Sequence, residues 1–531
     1  MESDFVIVGA GSAGCVVANR LSANPKNQVI LLEAGGPDRS PWIHIPVGYF
    51  KTMGNPANDW CYVTEPDLGL NGRSIKWPRG KTLGGSSSIN GLLYVRGQPQ
   101  DFDHWRQLGN AGWAWDDVSP LFKRAENWEG GGDDLRGVGG PLNVSKNKVD
   151  RDIVDAWLRA AVAAGYRWTD DYNQEDQEGV GYFQMTMKNG LRCSSAAAYL
   201  KPVKKRANLR IITNAHSHKI EVENGRAVAV WAMIDGNLQA IRARREIIIC
   251  AGAIGSPQLL MLSGIGSAAE LQQHGIEVVR ELPGVGKNLQ DHLQARPVYK
   301  CNASTINTES RNPVRLVGMA LQYVSSRSGP MAMAASLGTG FLKTRPELET
   351  PDIQYHIQPF SADNPADGAH HFSAFTASVL QLRPESTGRI ELKSADPNDH
   401  PAIYPNYLAT KTDCDTIVAG IQMTRAICRH QPVASLITGE HAPGEAVADD
   451  DYDALLNWAR NSATTIYHPT GTCKMGDDVM AVVDSRLRVH GLSGLRVADA
   501  SIMPTITSGN TNAPTIMIGE KLSDLVLADQ S

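Results

Sequence analysis

The chain has 531 residues, of which 42% are hydrophobic and 20% charged, and its formal net charge is -5. This length exceeds one ordinary core and predicts two domains or one elaborated domain. The charge balance, with only a short basic run at 201–206, excludes nucleic acid as the main partner.

Residues 4–8 (DFVIV) read as a buried strand. A glycine turn follows at 9–14, then a helical pattern over 12–21 with Val16, Val17 and Leu21 apolar. A second strand at 28–32 (QVILL) ends at Glu33, and Ala34-Gly35-Gly36 form a loop, completing one βαβ unit. Residues 41–71 read as irregular, and 79–97 hold a second glycine-serine cluster. The spacing predicts an amphipathic helix over 150–165. Short antiparallel strands are expected at 209–212, 217–222 and 227–232. A buried strand at 246–250 (EIIIC) is closed by Ala251-Gly252, and 259–262 continue as helix. From 291 to about 458 polar loops appear, including 361–371, with alternating strand patterns at 353–357 and 390–392. From Tyr467 the glycine-rich character returns. The class is α/β: a Rossmann-type domain mainly at 1–290, a substrate domain on an antiparallel sheet mainly at 291–460, and a C-terminal return at 461–531.

None of the eight cysteines forms a C-x-x-C pair, which reads as reduced, buried thiols of a cytoplasmic protein. A signal peptide and an 18-residue apolar stretch are both missing, so no spanning helix is expected. Peripheral attachment to a membrane stays open.

Gly9-Ala10-Gly11-Ser12-Ala13-Gly14 matches G-x-G-x-x-G. Gly9 allows the tight turn, Gly11 lets the backbone approach a pyrophosphate, and Gly14 lets helix and strand pack closely. The helix start then faces the phosphates with free N–H groups. Glu33 can accept both ribose hydroxyls and would repel the 2′-phosphate of NADP. NAD and FAD are not separated by this turn.

Two further segments bear on the cofactor. One is Gly80-Lys81-Thr82-Leu83-Gly84-Gly85-Ser86-Ser87-Ser88-Ile89-Asn90; the other runs from Gly252 to Gly266. Such glycine and serine density offers unhindered donors to a flat, polar ring system. With these segments, with Leu282 to His292, and with the runs Tyr467 to Gly476 and Val497 to Lys521, the chain resembles the glucose–methanol–choline (GMC) oxidoreductases over essentially its whole length. Within the family it is most similar to the choline dehydrogenase and aliphatic-alcohol or sorbose dehydrogenase branch.

The resemblance implies FAD. It places Gly9, Gly11, Ser12 and Ala13 at the pyrophosphate, with Gly14 completing the turn, and Glu33 and Ala34 at the adenosine ribose. It places Thr82, Gly85, Ser86, Asn90, Gly91, Leu92 and Leu93 along the ribityl chain and isoalloxazine, and the Ser217 backbone at the adenine. Ala251, Asp499 and Ala500 return to the cofactor, with Asn510, Thr511 and Asn512 beside the flavin ring. Some family members attach FAD through a histidine in the serine-rich loop. Ile89 stands there in this chain and has no nucleophile, so the FAD is expected to be noncovalent.

Alcohol oxidation by a flavin needs a base for the hydroxyl proton and a donor for the developing alkoxide. The resemblance gives these roles to His468, in Tyr467-His468-Pro469-Thr470-Gly471, and to Asn510, in Gly509-Asn510-Thr511-Asn512. Asparagine cannot serve as a base, so proton abstraction falls on His468 alone. His356 on the 353–357 strand lines the pocket or is a core histidine. The pair His370-His371 reads as a loop, because no cysteine or carboxylate at ligand spacing supports it, and no metal is expected. Cys473 is read as packing behind the site, and Met331, Met333 and Leu337 as apolar lining.

The expected partners are a small, primary alcohol and an electron acceptor: a quinone, a cytochrome or O2. An oxidase producing hydrogen peroxide is the alternative to a dehydrogenase. A lyase or photodecarboxylase, and a non-enzymatic flavin protein, are disfavoured by the His468 and Asn510 pair.

Overall fold

The computed structural model describes residues 1–363 and 368–529. Strand β1 (Glu2–Val8) leads through the glycine turn to helix α1 (Ser12–Leu21) and strand β2 (Val29–Leu32). β1 and β2 pair in parallel, Phe5 opposite Val29 and Val8 opposite Leu32. Strands covered on both faces read as unbroken Val/Ile/Leu runs, and Val6, Ile7 and Leu31 are fully buried. Helix α2 (Asp152–Ala163) falls inside the expected 150–165, and a short strand β3 (Gly179–Tyr182) follows.

Strands β4 (Leu209–Ile212), β5 (Ala215–Glu223), β6 (Arg226–Ile234) and β7 (Asn237–Ile249) complete most of the first sheet, whose order is β4-β2-β1-β7-β6-β5. One expectation is corrected here. β4 is not antiparallel: it pairs in parallel with β2, Leu209 opposite Val29. The antiparallel hairpins are β5–β6 and β6–β7. β7 is shared among neighbours: Asn237 to Arg242 pair with β6, and Arg242 to Ile249 run parallel to β1. Helix α3 (Gly252–Leu262) starts directly after it, seven residues earlier than expected.

The second sheet uses β8 (Leu293–Ala295), β9 (Val298–Cys301), β10 (Gly338–Leu342), β11 (Ile353–Gln358), β12 (Ala374–Gln381), β13 (Ile437–Ala442) and β14 (Thr464–Thr465). Its order is β13-β9-β12-β11-β10-β3, with β8 between β12 and β14. Every pairing in it is antiparallel. Its strands come from three stretches of the chain, because β3 and β14 lie outside 291–460. The alternating pattern at 390–392 belongs elsewhere: Arg389–Glu391 pairs with Ala402–Tyr404 in a two-stranded sheet. The expected loop 361–371 lies partly outside the described residues.

Helix α4 (Pro313–Ser326) lies between β9 and β10, and helix α5 (Lys411–Cys428) packs on β12. The C-terminus returns to the first sheet as β15 (Leu495–Val497), parallel to β7, and then as helix α6 (Asn512–Ala528) against α1. Gly519 permits that approach: a Cβ there would stand 2.9 Å from the Ala13 carbonyl oxygen and 3.0 Å from Val16 Cβ. Among the described residues no helix is long and apolar enough to cross a membrane.

Candidate active site

The two sheets and the C-terminal return enclose one cavity of about 900 Å³, near the upper end of the roughly 300–1,000 Å³ usual for ligand sites. One end is the glycine turn. Gly9 has φ +98, and a Cβ there would lie 2.4 Å from the Cys250 carbonyl oxygen. A Cβ at Gly14 would lie 1.9 Å from the Gly9 oxygen, so Gly14 serves packing and sits behind the cavity wall. Gly11 meets nothing closer than 3.9 Å, and no side chain caps α1. The helix start therefore presents free N–H groups to the cavity, a ready anion site. Glu33 accepts from the N–H groups of Ala10 (2.9 Å) and Gly35 (2.8 Å). Burial pushes its carboxyl up to about 7. Two backbone donors leave lone pairs for a ligand hydroxyl.

The serine-rich loop is tied to this turn. Gly84 N–H donates to the Ala10 carbonyl (2.7 Å), and a Cβ at Gly85 would lie 2.8 Å from Gly11 Cα. Behind the loop the buried Arg192 donates to Asn90 Oδ1 (2.6 Å) and the Ser87 carbonyl (3.2 Å). Asp499 accepts from Gly252 N–H (2.8 Å) and Ser256 Oγ (2.6 Å), and Asn512 Nδ2 donates to Ser12 Oγ (2.8 Å). These contacts bind both ends of the chain to the same cavity.

The structure brings Gly9, Gly11, Ser12, Ala13, Glu33, Ala34, Gly85, Ser86, Asn90, Gly91, Leu93, Ser217, Ala251, Asp499, Ala500, Asn510, Thr511 and Asn512 onto the cavity wall. Thr82 and Leu92 stand behind it with Gly14. Thr82 Oγ1 donates to the Gly36 carbonyl (3.0 Å), and Leu92 is fully buried at φ +66. Ile89 lines the cavity.

The other end carries His468. Tyr467 has φ +72, uncommon for a bulky residue, and the backbone turn at this residue directs His468 inward. Asp291 holds the turn: it accepts from His468 N–H (2.7 Å), Thr465 Oγ1 (2.6 Å) and the Tyr407 hydroxyl. Burial raises its carboxyl to about 6.

The imidazole is fixed by a chain of hydrogen bonds. His292 Nε2 lies 2.9 Å from the Leu382 carbonyl oxygen, and His292 Nδ1 lies 2.9 Å from His468 Nδ1. A carbonyl can only accept, so His292 Nε2 carries the proton. Burial holds His292 down at about 4, so the ring is neutral at pH 7 and its Nδ1 accepts. His468 Nδ1 must then donate. Its Nε2 is left with a lone pair facing Asn510, whose Nδ2 donates to it at 3.0 Å. Burial, then the neighbouring His292 and His356 rings, hold His468 well below its ordinary value. The geometry thus supplies a neutral base with one defined basic atom.

His292 ends the run Leu282 to His292, but only the fold places it against His468. His356 lines the cavity, with its Nε2 lacking a partner. Gln294, Arg296, Ser336, Gln358, Tyr49 and Phe360 also line this end, and nothing in their sequence setting marked them. Ala335 and Ser336 face the cavity where Met331, Met333 and Leu337 were expected; Met333 and Leu337 are buried in the core. Cys473 is fully buried and off the wall. The reading of His370 is corrected in one respect. Asp363 and His441 stand beside it, with ligand atoms within 4.8 Å of one another, whereas His371 lies 3.4 Å from Arg311.

Five wall residues, Ser217, Gln294, Arg296, His356 and Asn510, carry a buried polar atom with no partner. Together with the glycine cradle they fit a long, polar ligand with an anionic middle, which is the chemistry of FAD.

A dinucleotide turn joined to a histidine–asparagine pair across one cavity defines a flavin-dependent oxidoreductase. Family models of the GMC oxidoreductases match residues 3–294 and 384–519, and the chain belongs to that FAD-dependent family. It is 44% identical over 529 residues to an oxygen-dependent choline dehydrogenase of Brucella suis biovar 1 (strain 1330), covering 99% of this chain and 96% of the relative. It is equally 44% identical over 529 residues to an alcohol dehydrogenase [acceptor] of Pseudomonas putida, covering 99% and 95%. Among solved structures, pyridoxine 4-oxidase from Mesorbium loti aligns with a TM-score of 0.89 at 30% identity, covering 98% of both chains. A formate oxidase variant from Aspergillus oryzae RIB40, studied for its FAD modification, aligns at 0.91 and 27% identity, covering 99% and 98%.

Proposed function

We propose that the protein oxidises a primary alcohol to an aldehyde and passes the electrons to a quinone or another acceptor. The carrying observation is the chain Leu382 O–His292–His468–Asn510, which leaves a lone pair on His468 Nε2 at the cavity wall. The bound flavin supplies a hydride acceptor at N5. His468 Nε2 takes the hydroxyl proton, and the substrate oxygen enters between His468 and Asn510. Asn510 Nδ2 then donates to the alkoxide as its charge grows. Ile89 offers no nucleophile, so the FAD is held without a covalent bond.

Anaerobic mixing of holoenzyme with a panel of primary alcohols tests this reading. The flavin should bleach, and acid precipitation should release it into the supernatant. His468→Ala should slow bleaching by about 10²–10⁴-fold, the usual weight of a general base, with FAD still bound. Bleaching at the unaltered rate in that variant would remove His468 as the base. Oxygen is the second reading for the acceptor, favoured by the oxygen-dependent choline dehydrogenase among the relatives. Peroxide formed in step with alcohol loss would select it.

A further inference from the structure

Around β8 the chain is extended, so alternate residues face one side. His292, Gln294 and Arg296 share that side. His292 bonds His468, while Gln294 and Arg296 line the same cavity farther along. Four residues of extended chain span roughly 13 Å, so Arg296 stands one small molecule's length from the histidine pair.

Arg296 is a cation without a paired acid among the described residues. Its Nε is sealed from solvent with no acceptor, and among the described residues no ion pair or hydrogen bond reaches its guanidinium. Among the described residues the acids on the cavity wall are Glu33, Asp59 and Asp499. Each is engaged by backbone N–H groups: Glu33 by Ala10 and Gly35, Asp59 by Gly54, Cys61 and Arg79, and Asp499 by Gly252 and Ser501. Asp363 contributes to the field at Arg296, but its side chain is 89% exposed and pairs with His370. Tyr49 and Tyr467, the other groups nearest in charge, are neutral phenols held further from ionisation by burial. Guanidinium does not give up its proton at neutral pH. Gln294 Nε2 donates to the Thr465 carbonyl (3.1 Å) and leaves its Oε1 free. The Arg296 guanidinium thus offers its N–H donors to an anion, and among the described residues the wall offers no free carboxylate to a cation.

Resting on the alcohol-oxidation reading, we infer that the substrate carries an anionic oxygen group, a carboxylate, which pairs with Arg296 while its carbinol carbon sits at His468 and Asn510. A quaternary ammonium alcohol such as choline is disfavoured at this wall by direct repulsion, although a relative at 44% identity is a choline dehydrogenase.

The test compares ω-hydroxycarboxylates of four to eight carbons, their methyl esters, ω-hydroxyalkyl phosphates and choline in anaerobic flavin reduction by the holoenzyme. A parallel titration follows the flavin absorbance as hexanoate or hexanamide, neither of them a substrate, is added. Hydroxycarboxylates should exceed their esters by at least about tenfold in apparent affinity, the weight of one charge-assisted contact. Hexanoate should perturb the flavin and weaken with salt, and hexanamide should not. Arg296→Gln should abolish both preferences, and Arg296→Lys should restore part of them. Phosphates outranking carboxylates would overturn the carboxylate assignment. Equal rates for choline and hydroxycarboxylates, or a preference unchanged in Arg296→Gln, would overturn the inference. If no alcohol reduces the flavin while hexanoate binding still depends on Arg296, the alcohol reading fails and the anion site stands.

Discussion

His292 decides what His468 can do, and it does so as a positioning residue. Among the described residues its Nδ1 is the one acceptor at His468 Nδ1, so it fixes which nitrogen of His468 is basic. His292→Leu would leave that N–H without a partner and release the tautomer. The rate of flavin reduction should fall about 100-fold with FAD still bound, whereas His292→Asn, which keeps an acceptor, should recover part of it. The pH dependence has a definite sign. In the proposed reaction the neutral imidazole is the competent form, and burial holds His468 well below 6.5. The reduction rate should therefore stay level as pH falls from 8 through 6.5, and decline only in more acid solution. An inflection at 6.5 would contradict the assignment. His468 and Asn510 were legible in short motifs because their neighbours are constrained by backbone shape. Arg296 was not, since an arginine before a proline reads as surface until the fold turns it inward.

At the scale of elements, the site depends on how closely α6 lies against α1. Gly519 sits at that contact, and the buried Glu520 next to it accepts from Arg20 (2.7 and 2.9 Å) and Tyr199 (3.0 Å). Gly519→Val would drive methyl groups into the Ala13 carbonyl and Val16. Overpacking of this kind costs about 1–3 kcal/mol. Because α6 begins at Asn512 and carries the Asn510 loop, the expected result is a lower melting temperature together with weaker FAD retention. Unchanged FAD affinity in a destabilised variant would show that α6 supports the fold without setting the site. Strands β1 and β2 and the end of β7 from Glu246 were legible as apolar runs, and α1 and α2 as periodic ones. The direction of β4 was not, because a four-residue strand carries no mark of its partner: β4 lies beside β2 only because the segment before it crosses the layer.

At the scale of the whole molecule, one surface departs from the rest. Val314, Leu316, Val317, Leu321 and Val324 on α4 are all exposed, Val314 at 79% and Val324 at 74%. Tyr323 alone is buried on that helix. Arg311, Arg315 and Arg327 flank this face, and no acidic residue occurs between Glu309 and Glu347. An apolar helix rimmed by cations suits the surface of an anionic bilayer, and we propose that α4 docks there, within reach of the membrane quinone proposed as acceptor. The holoenzyme should float with vesicles containing phosphatidylglycerol and stay down with purely phosphatidylcholine vesicles or at high salt. Val317→Asp with Leu321→Asp should abolish flotation and leave flavin reduction intact. Flotation undiminished in that variant would exclude α4 as the contact.

The sequence by itself determined the nucleotide turn and the FAD family and singled out His468 and Asn510 as the proposed pair, because each rests on local backbone constraints or on a short run of residues. Only the tertiary structure decided which groups face one another: His292 behind His468, Arg296 on the cavity wall without a counter-ion among the described residues, and β3 and β14 joined to a sheet from another stretch of chain. Such facts depend on contacts between residues more than a hundred positions apart. Nothing in a local pattern encodes them, since burial and pairing arise only when the layers close.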